Sequence, residues 1–228
     1  PATEERGPIA FSLYDGPDAG IDTIDLRPSK TNDRLNLNDE TFSNVAGLVG
    51  NLSIARGSEF EVARMGSGND TVYGNELDNQ IFGFNGRDKL FGGAGMDKLF
   101  GGKGRDRLFG GSKDDWLNGN QGRDRLRGGE GNDTLTGGLG ADEFFFGFGH
   151  DSDRIRDFTL GVDELLFSSI DFNGVSAQLL IDTYGQVGID GIVLDFGDSE
   201  VLGADSNDQL LLEGVFDLDA LVDDVSFI

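Results

Sequence analysis

The chain has 228 residues, no cysteine, 37 glycines and 4 prolines, and its 42 acidic against 18 basic residues give a formal net charge of −24. This charge disfavours nucleic acid as a partner, the missing cysteines exclude disulfides and thiolate metal sites, and no apolar run reaches the roughly 20 residues that a membrane span needs. The glycines favour turns and short strands over long helices.

The first predicted elements lie between residues 11 and 64. The segments IDTIDL (21–26) and RLNLN (34–38) alternate apolar and polar residues. Such alternation is typical of half-buried β-strands. We therefore predict an N-terminal β cap over residues 1–64.

Nine consecutive windows of nine residues follow, from Met65 to Phe145, without an insertion. The sixth position is Asp in eight windows and Asn79 in the other, and the eighth position is apolar in all nine. The glycines before the Asp favour a turn, and the three residues after it suit a minimal strand. Two windows would then make one coil, with alternate windows stacked in two parallel sheets around an apolar interior. The predicted fold class is all-β, with a parallel β-roll over residues 65–156 between sandwich-like strand caps.

The last predicted region, residues 157–228, combines apolar runs with acidic charge. The runs ELLF (164–167), GIVLDF (191–196) and QLLLEGV (209–215) are typical of strands, and no Lys or Arg follows Arg156. The apolar runs indicate that this acidic region folds. We therefore predict a C-terminal acidic β cap.

The repeated aspartate indicates a cation site. Carboxylates stacked one strand spacing apart repel each other by about 1 kcal/mol in water and by several times that near a protein surface. Calcium reverses this effect because it binds about six to eight oxygens from carboxylates and backbone carbonyls, whereas magnesium demands stricter geometry and zinc prefers His or Cys. We predict several calcium ions, roughly five to eight. The predicted ligands are the carboxylates of Asp70, Asp88, Asp97, Asp106, Asp115, Asp124, Asp133 and Asp142, and the backbone carbonyls of Gly83, Asn85, Gly92, Ala94, Gly101, Lys103, Gly119, Gln121, Gly128 and Glu130.

Two windows depart from the repeat pattern on which the calcium prediction rests. Asn79 replaces the Asp of its window and should weaken a site, whereas Lys113 replaces a glycine and should strain a turn. Asp78 and Asp151 are secondary candidate ligands. The alternative is that the aspartates only bond to their own turns, as Asx residues commonly do, but eight in register favour a metal.

A basic and aromatic island is predicted on the outer face of one sheet. Lys89, Arg107 and Arg125 occupy equivalent positions there, beside Phe91 and Phe109. The bases either offset the field of aspartates or form a docking face for a catalytic domain or an anionic polysaccharide. Both interpretations stay open from the sequence.

The nonapeptides resemble the RTX repeat of proteins exported by type I secretion, a calcium-binding repeat. The resemblance extends to the serralysin-type (peptidase M10) metalloproteases, whose C-terminal domain is similar to roughly residues 11–170, most clearly in NDRLNLNDETFSNVAGLVGNLSIARGSEFEVARMGSGNDTVYGN (32–75) and SDRIRDFTLGVDELLFSS (152–169). It implies a secreted, extracellular chain, a type I exporter and an attached catalytic domain as partners, and a C-terminal secretion signal at DVSFI (224–228). It also implies a calcium site ahead of the roll, approximated by Asp18, Gly20 and Asp22.

A protease site is not expected in this chain. His150 is the one histidine, so the HExxH zinc motif is absent, and we expect His150 in a surface turn. The predicted function is a non-catalytic calcium-binding domain that folds after export and stabilises an attached enzyme, foremost a zinc metalloprotease. The alternatives are a module of a secreted polysaccharide-active enzyme (alginate epimerase, lyase or glycosidase) and a segment of an adhesin or surface protein.

Overall fold

A computed structural model of the chain describes residues 11–13, 21–38, 40–45, 52–54, 59–147, 149–168, 174–196 and 208–228. These residues form mostly β-strands, with two short α-helices and one 3-10 helix. The strands are β1 (Phe11–Leu13), β2 (Thr23–Asp25), β3 (Arg34–Asn36), β4 (Phe42–Ser43), β5 (Leu52–Ile54), β6 (Val62–Arg64), β7 (Thr71–Tyr73), β8 (Gln80–Gly86), β9 (Lys89–Ala94), β10 (Lys98–Gly104), β11 (Arg107–Ser112), β12 (Trp116–Gly122), β13 (Arg125–Glu130), β14 (Thr134–Leu139), β15 (Glu143–Phe146), β16 (Ser152–Ile155), β17 (Glu164–Phe167), β18 (Gly185–Val187), β19 (Gly191–Asp195), β20 (Gln209–Glu213) and β21 (Val225–Phe227). The helices are α1 (Ala177–Tyr184), α2 (Leu218–Leu221) and the 3-10 helix Val222–Asp224.

Two largely parallel sheets form the body of the fold. The eight-stranded sheet has the order β21-β17-β15-β13-β11-β9-β7-β3, and the ten-stranded sheet has the order β18-β19-β20-β16-β14-β12-β10-β8-β6-β2. Leu90 pairs with Leu108 in the first sheet, and Leu99 pairs with Leu117 in the second. Partners are therefore 18 residues apart, which confirms the predicted roll with two windows per coil. A separate three-stranded sheet has the order β1-β5-β4.

The repeat strands are longer than the sequence predicted. Strands β9 and β10 continue through the glycine pair, so the prediction of three-residue strands is wrong. Pairing of β10 with β12 skips Gly101 and resumes at Gly102. The positive φ angles of Gly102 (112°) and Gly104 (149°) let the backbone bend there, and pairing between coils outweighs the low strand propensity of glycine.

The eighth-position side chains fill the space between the sheets. All nine, from Val72 to Phe144, are at most 2% exposed. Leu35 pairs with Val72 and Leu165 with Phe144, so strands outside the repeat continue the same sheet. The strands predicted in the flanks are confirmed as β2, β3, β17, β19 and β20, while the division at residues 64 and 156 stays a prediction.

The C-terminal region extends the roll. Strand β20 pairs in parallel with β16, β21 pairs in parallel with β17, and the β18–β19–β20 pairs are antiparallel. The Ile228 N–H donates a hydrogen bond of 2.9 Å to the Phe167 carbonyl. Helix α1, which the sequence did not predict, buries Leu180 and Ile181. The last residues of the chain are therefore part of the eight-stranded sheet.

Candidate metal centre

The sixth-position side chains form two ladders of hydrogen bonds along the roll. Asp106 Oδ1 accepts a bond of 2.8 Å from the Asp88 N–H, and Asp124 Oδ1 accepts one of 2.7 Å from the Asp106 N–H. Each bond joins a carboxylate to the backbone of the preceding coil rather than to its own turn. The first ladder contains Asp33, Asp70, Asp88, Asp106, Asp124, Asp142 and Asp163, and the second contains Asn79, Asp97, Asp115, Asp133 and Asp153.

The ladders extend past the aspartates predicted from the repeat. Asp153 accepts from the Asp133 N–H across 20 residues, Asp163 from the Asp142 N–H across 21, and Asp70 from the Asp33 N–H across 37. A constant period of nine residues does not predict these end members, because their spacings differ from it. The triplet of Asp, any residue and an apolar residue would have found all three missed positions, as in Asp153-Arg154-Ile155.

The second carboxylate oxygen of each repeat aspartate has no such bond. Within the part of the chain that the structure describes, these Oδ2 atoms are buried and lack a hydrogen-bond partner. The side chains are at most 3% exposed. A buried carboxylate oxygen costs free energy unless a proton or a cation meets it. The eight residues are Asp70, Asp88, Asp97, Asp106, Asp115, Asp124, Asp133 and Asp142.

In the seven windows from Gly83 to Phe145, the first glycine leaves space beside this oxygen. A Cβ on Gly101 would lie 2.6 Å from Asp106 Oδ2 and 2.9 Å from the carbonyl oxygen of Gly119 in the next coil. Only glycine keeps this space open, and both atoms that line it are the hard oxygens that calcium prefers. The residues therefore fit calcium. The same arrangement, with distances of 2.2–2.5 Å to Oδ2 and 2.6–2.7 Å to the carbonyl, recurs at Gly83, Gly92, Gly110 and Gly119.

The predicted backbone ligands divide into two groups. The carbonyl oxygens of Gly101, Gly119 and Gly128 line the spaces beside aspartate Oδ2 atoms, and that of Gly92 lines the matching space beside Asn79. The carbonyl oxygens of Gly110 and Gly137, which were not among the predicted ligands, also line spaces beside aspartate Oδ2 atoms. The third-position carbonyls take part in strand pairing instead, as when Asn85 O accepts from the Gly68 N–H at 3.0 Å. A ligand role stays a prediction for all ten residues, and the described spaces favour Gly92, Gly101, Gly119 and Gly128 over Gly83, Asn85, Ala94, Lys103, Gln121 and Glu130.

Burial raises the pKa of all eight repeat aspartates. Loss of solvation is the main cause, and the backbone bond to Oδ1 opposes it. The pKa rises to about 6 for Asp106, to about 7 for Asp124 and to about 8 for Asp115, where neighbouring carboxylates add to the effect. Near neutral pH these groups therefore need either protons or a cation.

Side chains alone do not complete a metal site. Among the described residues, no group of three or more His, Cys, Asp or Glu side chains is placed to hold an ion. Each window except that of Asn79 contributes one buried carboxylate, so the remaining oxygens of a cation site would come from the backbone. This donor set suits calcium and does not suit zinc.

The two departing windows behave differently. Asn79 Oδ1 accepts from the Asn75 N–H of its own turn at 2.9 Å, and Asn79 Nδ2 donates to the Phe60 carbonyl at 3.3 Å. Where the other windows have a carboxylate oxygen, Asn79 therefore presents an uncharged amide whose nitrogen donates hydrogen bonds. The weaker calcium site expected in this window stays a prediction. Lys113 has a φ of 78°, the left-handed strain that the sequence predicted, and Phe84 (70°) and Asn120 (71°) share that conformation.

The secondary candidates have backbone partners or lie outside the described residues. Asp78 Oδ1 accepts from the Met96 N–H at 2.8 Å, and Asp151 Oδ2 accepts from the Gly131 N–H at 3.1 Å. The Asp22 N–H donates to Glu61 Oε2 at 2.7 Å. Asp18 and Gly20 lie outside the described residues, and the site ahead of the roll stays a prediction.

His150 corrects one expectation. It is 3% exposed, its ring centroid lies 5.4 Å from that of Phe146, and its Nδ1 lies 3.8 Å from Asp153 Oδ2. The expectation of a surface turn residue is therefore wrong, because Phe145 and Phe146 pack against the imidazole.

The predicted docking residues share one face. Arg107 pairs in register with Lys89 and with Arg125, and all three residues are exposed on the eight-stranded sheet. The ring planes of Phe91 and Phe109 stack with centroids 4.8 Å apart. Their binding role stays a prediction.

A parallel roll of nonapeptides with a buried aspartate in each coil defines an RTX-type domain. The family model described as "Peptidase M10 serralysin C terminal" matches residues 1–206. The chain therefore belongs to the serralysin C-terminal domain family, which confirms the resemblance seen in the sequence and the predicted secreted, extracellular class. Among the described residues, no helix has the length and apolar character to cross a membrane.

Curated relatives match about a third of the chain. The metallopeptidase AprA of Pseudomonas marginalis is 45% identical over 80 residues, which are 35% of this chain and 16% of that protein. A serralysin of Photorhabdus laumondii is 44% identical over 80 residues, with the same shares. The chain thus spans 16% of the length of these relatives.

Two solved structures are similar to part of this chain. The AlgE6R3 subunit of the Azotobacter vinelandii mannuronan C5-epimerase has a TM-score of 0.43 and 27% identity, covering 67% of this chain and 80% of that one. The extracellular lipase LipA of Serratia marcescens has a TM-score of 0.36 and 21% identity, covering 76% of this chain and 41% of that one.

Proposed function

We propose that this chain is a non-catalytic calcium-binding domain whose folding depends on calcium. The observation that carries the proposal is the set of eight buried Oδ2 atoms without a partner among the described residues, most of them facing a space that only glycine leaves open. Bound calcium would supply the positive charge that offsets repulsion within each ladder. The ligands would be the repeat aspartates and the glycine carbonyls of the adjacent coil.

Each repeat aspartate then has two roles. Its Oδ1 fixes the backbone of the preceding coil, as Asp106 does for Asp88, and its Oδ2 contributes to the cation site. Without a cation, folding would require these carboxylates to be buried with protons or to repel one another. Binding and folding would therefore be a single coupled reaction.

We infer that the chain folds after export by a type I exporter. The proposed secretion signal is DVSFI (224–228), and in the folded chain Val225–Phe227 forms strand β21 while Val225 is 8% exposed. An exporter could engage this segment as an extended chain only before the sheet forms. Low cytosolic calcium would keep the domain unfolded until it reaches the calcium outside the cell.

We further propose that the whole protein is a serralysin-like zinc metalloprotease whose catalytic domain this domain stabilises. The family match and the metallopeptidase relatives support this parent. The chain itself has one histidine and no HExxH motif. Catalysis would therefore belong to the attached domain.

Circular dichroism of the chain in chelator, followed by titration with calcium, tests the proposal. We expect little β signal in chelator, steep recovery in millimolar calcium, and no comparable recovery in equal magnesium, whose geometry suits backbone carbonyls poorly. Heat or urea unfolding in each condition measures the linked stability. A chain fully folded in chelator, with the same unfolding midpoint as in calcium, would refute the proposal.

A further inference from the structure

The outer face of the eight-stranded sheet carries a regular set of cations. Positions five and seven of three windows flank the buried aspartate with a basic residue on each side, and all these residues are exposed. The seventh-position members pair in register across consecutive coils. We name this set the cation grid; it consists of Arg87, Lys89, Arg105, Arg107, Arg123 and Arg125.

Compensation of the aspartate charge does not explain the cation grid. The windows of the ten-stranded sheet contain three ladder aspartates and Asn79, where those of the eight-stranded sheet contain five aspartates, yet they place a single base, Lys98, at the two positions that hold six bases in the grid. If the bases served only to offset aspartates, their number on each sheet would follow the number of aspartates there. The equivalent residues of the ten-stranded sheet are Asp78, Met96, Asp114 and Asn132 at position five, and Gln80, Lys98, Trp116 and Thr134 at position seven.

Most of the cation grid also lacks an acidic partner among the residues that the structure describes. Arg123 and Arg125 form ion pairs with Glu143, whose side chain is 6% exposed. The other four members form no ion pair with any described residue. A protein with a net charge of −24 thus presents unbalanced positive charge on one face.

The spacing of this face suits a linear partner. Tyr73, Phe91 and Phe109 stack beside the grid with centroids 4.8–4.9 Å apart and planes within 5° of parallel, so each coil advances by about one strand spacing. Because the ring faces cover one another, they offer no platform for nucleic-acid bases. A groove of about 450 Å³, lined by Arg107, Phe109 and Arg125 among others, opens on the same face.

We propose that the cation grid binds a linear polyuronate, an acidic polysaccharide with a carboxylate on every sugar, laid along the axis of the roll. Successive coils would meet successive carboxylates, and the guanidinium groups would bind them through paired N–H donors. Several weak contacts on one rigid face add up to useful affinity. The inference goes beyond the calcium-dependent folding function and requires only that the roll be folded.

Fluorescence anisotropy with a labelled oligomannuronate, in millimolar calcium, tests the inference. The grid variant R87Q/R105Q/R107Q spares the bases that pair with the buried Glu143. The matched control K98Q/R154Q/R156Q removes the same charge from the ten-stranded sheet and from the residue that follows its strand β16. We expect the grid variant to bind about tenfold more weakly than the wild type, the control to bind within about twofold of it, and wild-type affinity to fall with salt.

Circular dichroism of each variant in calcium separates loss of folding from loss of binding. The inference is overturned if the folded wild type does not bind, or if the control weakens as much as the grid variant. Equal competition by single-stranded DNA of the same charge would also overturn it, because the face would then recognise any polyanion. None of these outcomes bears on whether calcium folds the chain.

Discussion

The substitution D106N should have opposite effects with and without calcium. Asparagine keeps the oxygen that accepts from the Asp88 N–H but replaces the unpartnered Oδ2 with an amide nitrogen. In calcium at a hundredfold excess over Kd, losing one site costs about 2.7 kcal/mol of unfolding free energy. We expect a loss of about that size, and a higher calcium midpoint for folding.

In chelator, the same substitution should stabilise the chain. Asp88 and Asp124 lie one coil away on either side, and the Phe91 and Phe109 rings show a coil spacing of 4.8 Å. At that distance each carboxylate repels a charge on Asp106 by about 1 kcal/mol in water. The repulsion is about 3 kcal/mol at an effective dielectric constant of about 20. Removing the charge should therefore raise the unfolding free energy at pH 8 by about 2 kcal/mol or more.

Urea unfolding followed by circular dichroism measures both values, with trimethylamine oxide added to populate the apo fold where needed. The control is D114N, because Asp114 is exposed and its Oδ1 accepts from the Asn132 N–H at 2.9 Å. The control should change stability by less than about 0.5 kcal/mol in either condition. If D106N destabilises the chain equally in calcium and in chelator, the aspartate is only a hydrogen-bonding residue and our reasoning is wrong.

Three further changes test the same geometry. Burial raises the pKa of Asp106 to about 6, of Asp124 to about 7 and of Asp115 to about 8, so the folded apo chain binds more protons than the unfolded chain. Its unfolding free energy in chelator should therefore fall as pH rises from 5 to 8, and a rise would contradict the assigned burial. The substitution K113G should remove the strain at a φ of 78° and stabilise the calcium-bound chain by about 1 kcal/mol in urea unfolding. An unchanged or lower unfolding free energy would contradict strain at Lys113. The substitution G101A would place a Cβ 2.6 Å from Asp106 Oδ2 and should raise the calcium midpoint for folding. The control G188A, whose Cβ would lie 3.5 Å from its nearest atom, should leave that midpoint unchanged. Equal midpoints for the two variants would argue against a cation beside Gly101.

The repeat predicted most of the roll because its period is constant. Once two windows make a coil, Asp106 must lie beside Asp88 and Asp124, and Leu108 must lie in the interior between Leu90 and Leu126. Local spacing alone therefore determined the register of both ladders. The positions of the glycine carbonyls were harder to infer, because they depend on how neighbouring coils stack.

Prediction failed where the period ends or where coils override local preference. Asp153 and Asp163 join the ladders only after irregular connections, and no local pattern gives the length of such a connection. His150 is buried against Phe145 and Phe146, because the chain reverses direction through Gly149 (φ 74°), a turn that no repeat pattern specifies. Strand β10 runs through glycines that isolated propensity assigns to a turn, because the coils on both sides pair with them.

The alternation of sheets also limits how such a gene can change length. Adding 18 residues, one whole coil, would leave every later window on its own sheet, because partners are 18 residues apart, as Leu99 and Leu117 are. Adding nine would preserve the leucine interior and the aspartates but transfer each later window to the opposite sheet. An insertion of nine residues between Arg107 and Arg123 would divide the cation grid between two faces of the protein. Duplication in even numbers of windows is thus the one course that lengthens the roll and keeps its surface intact.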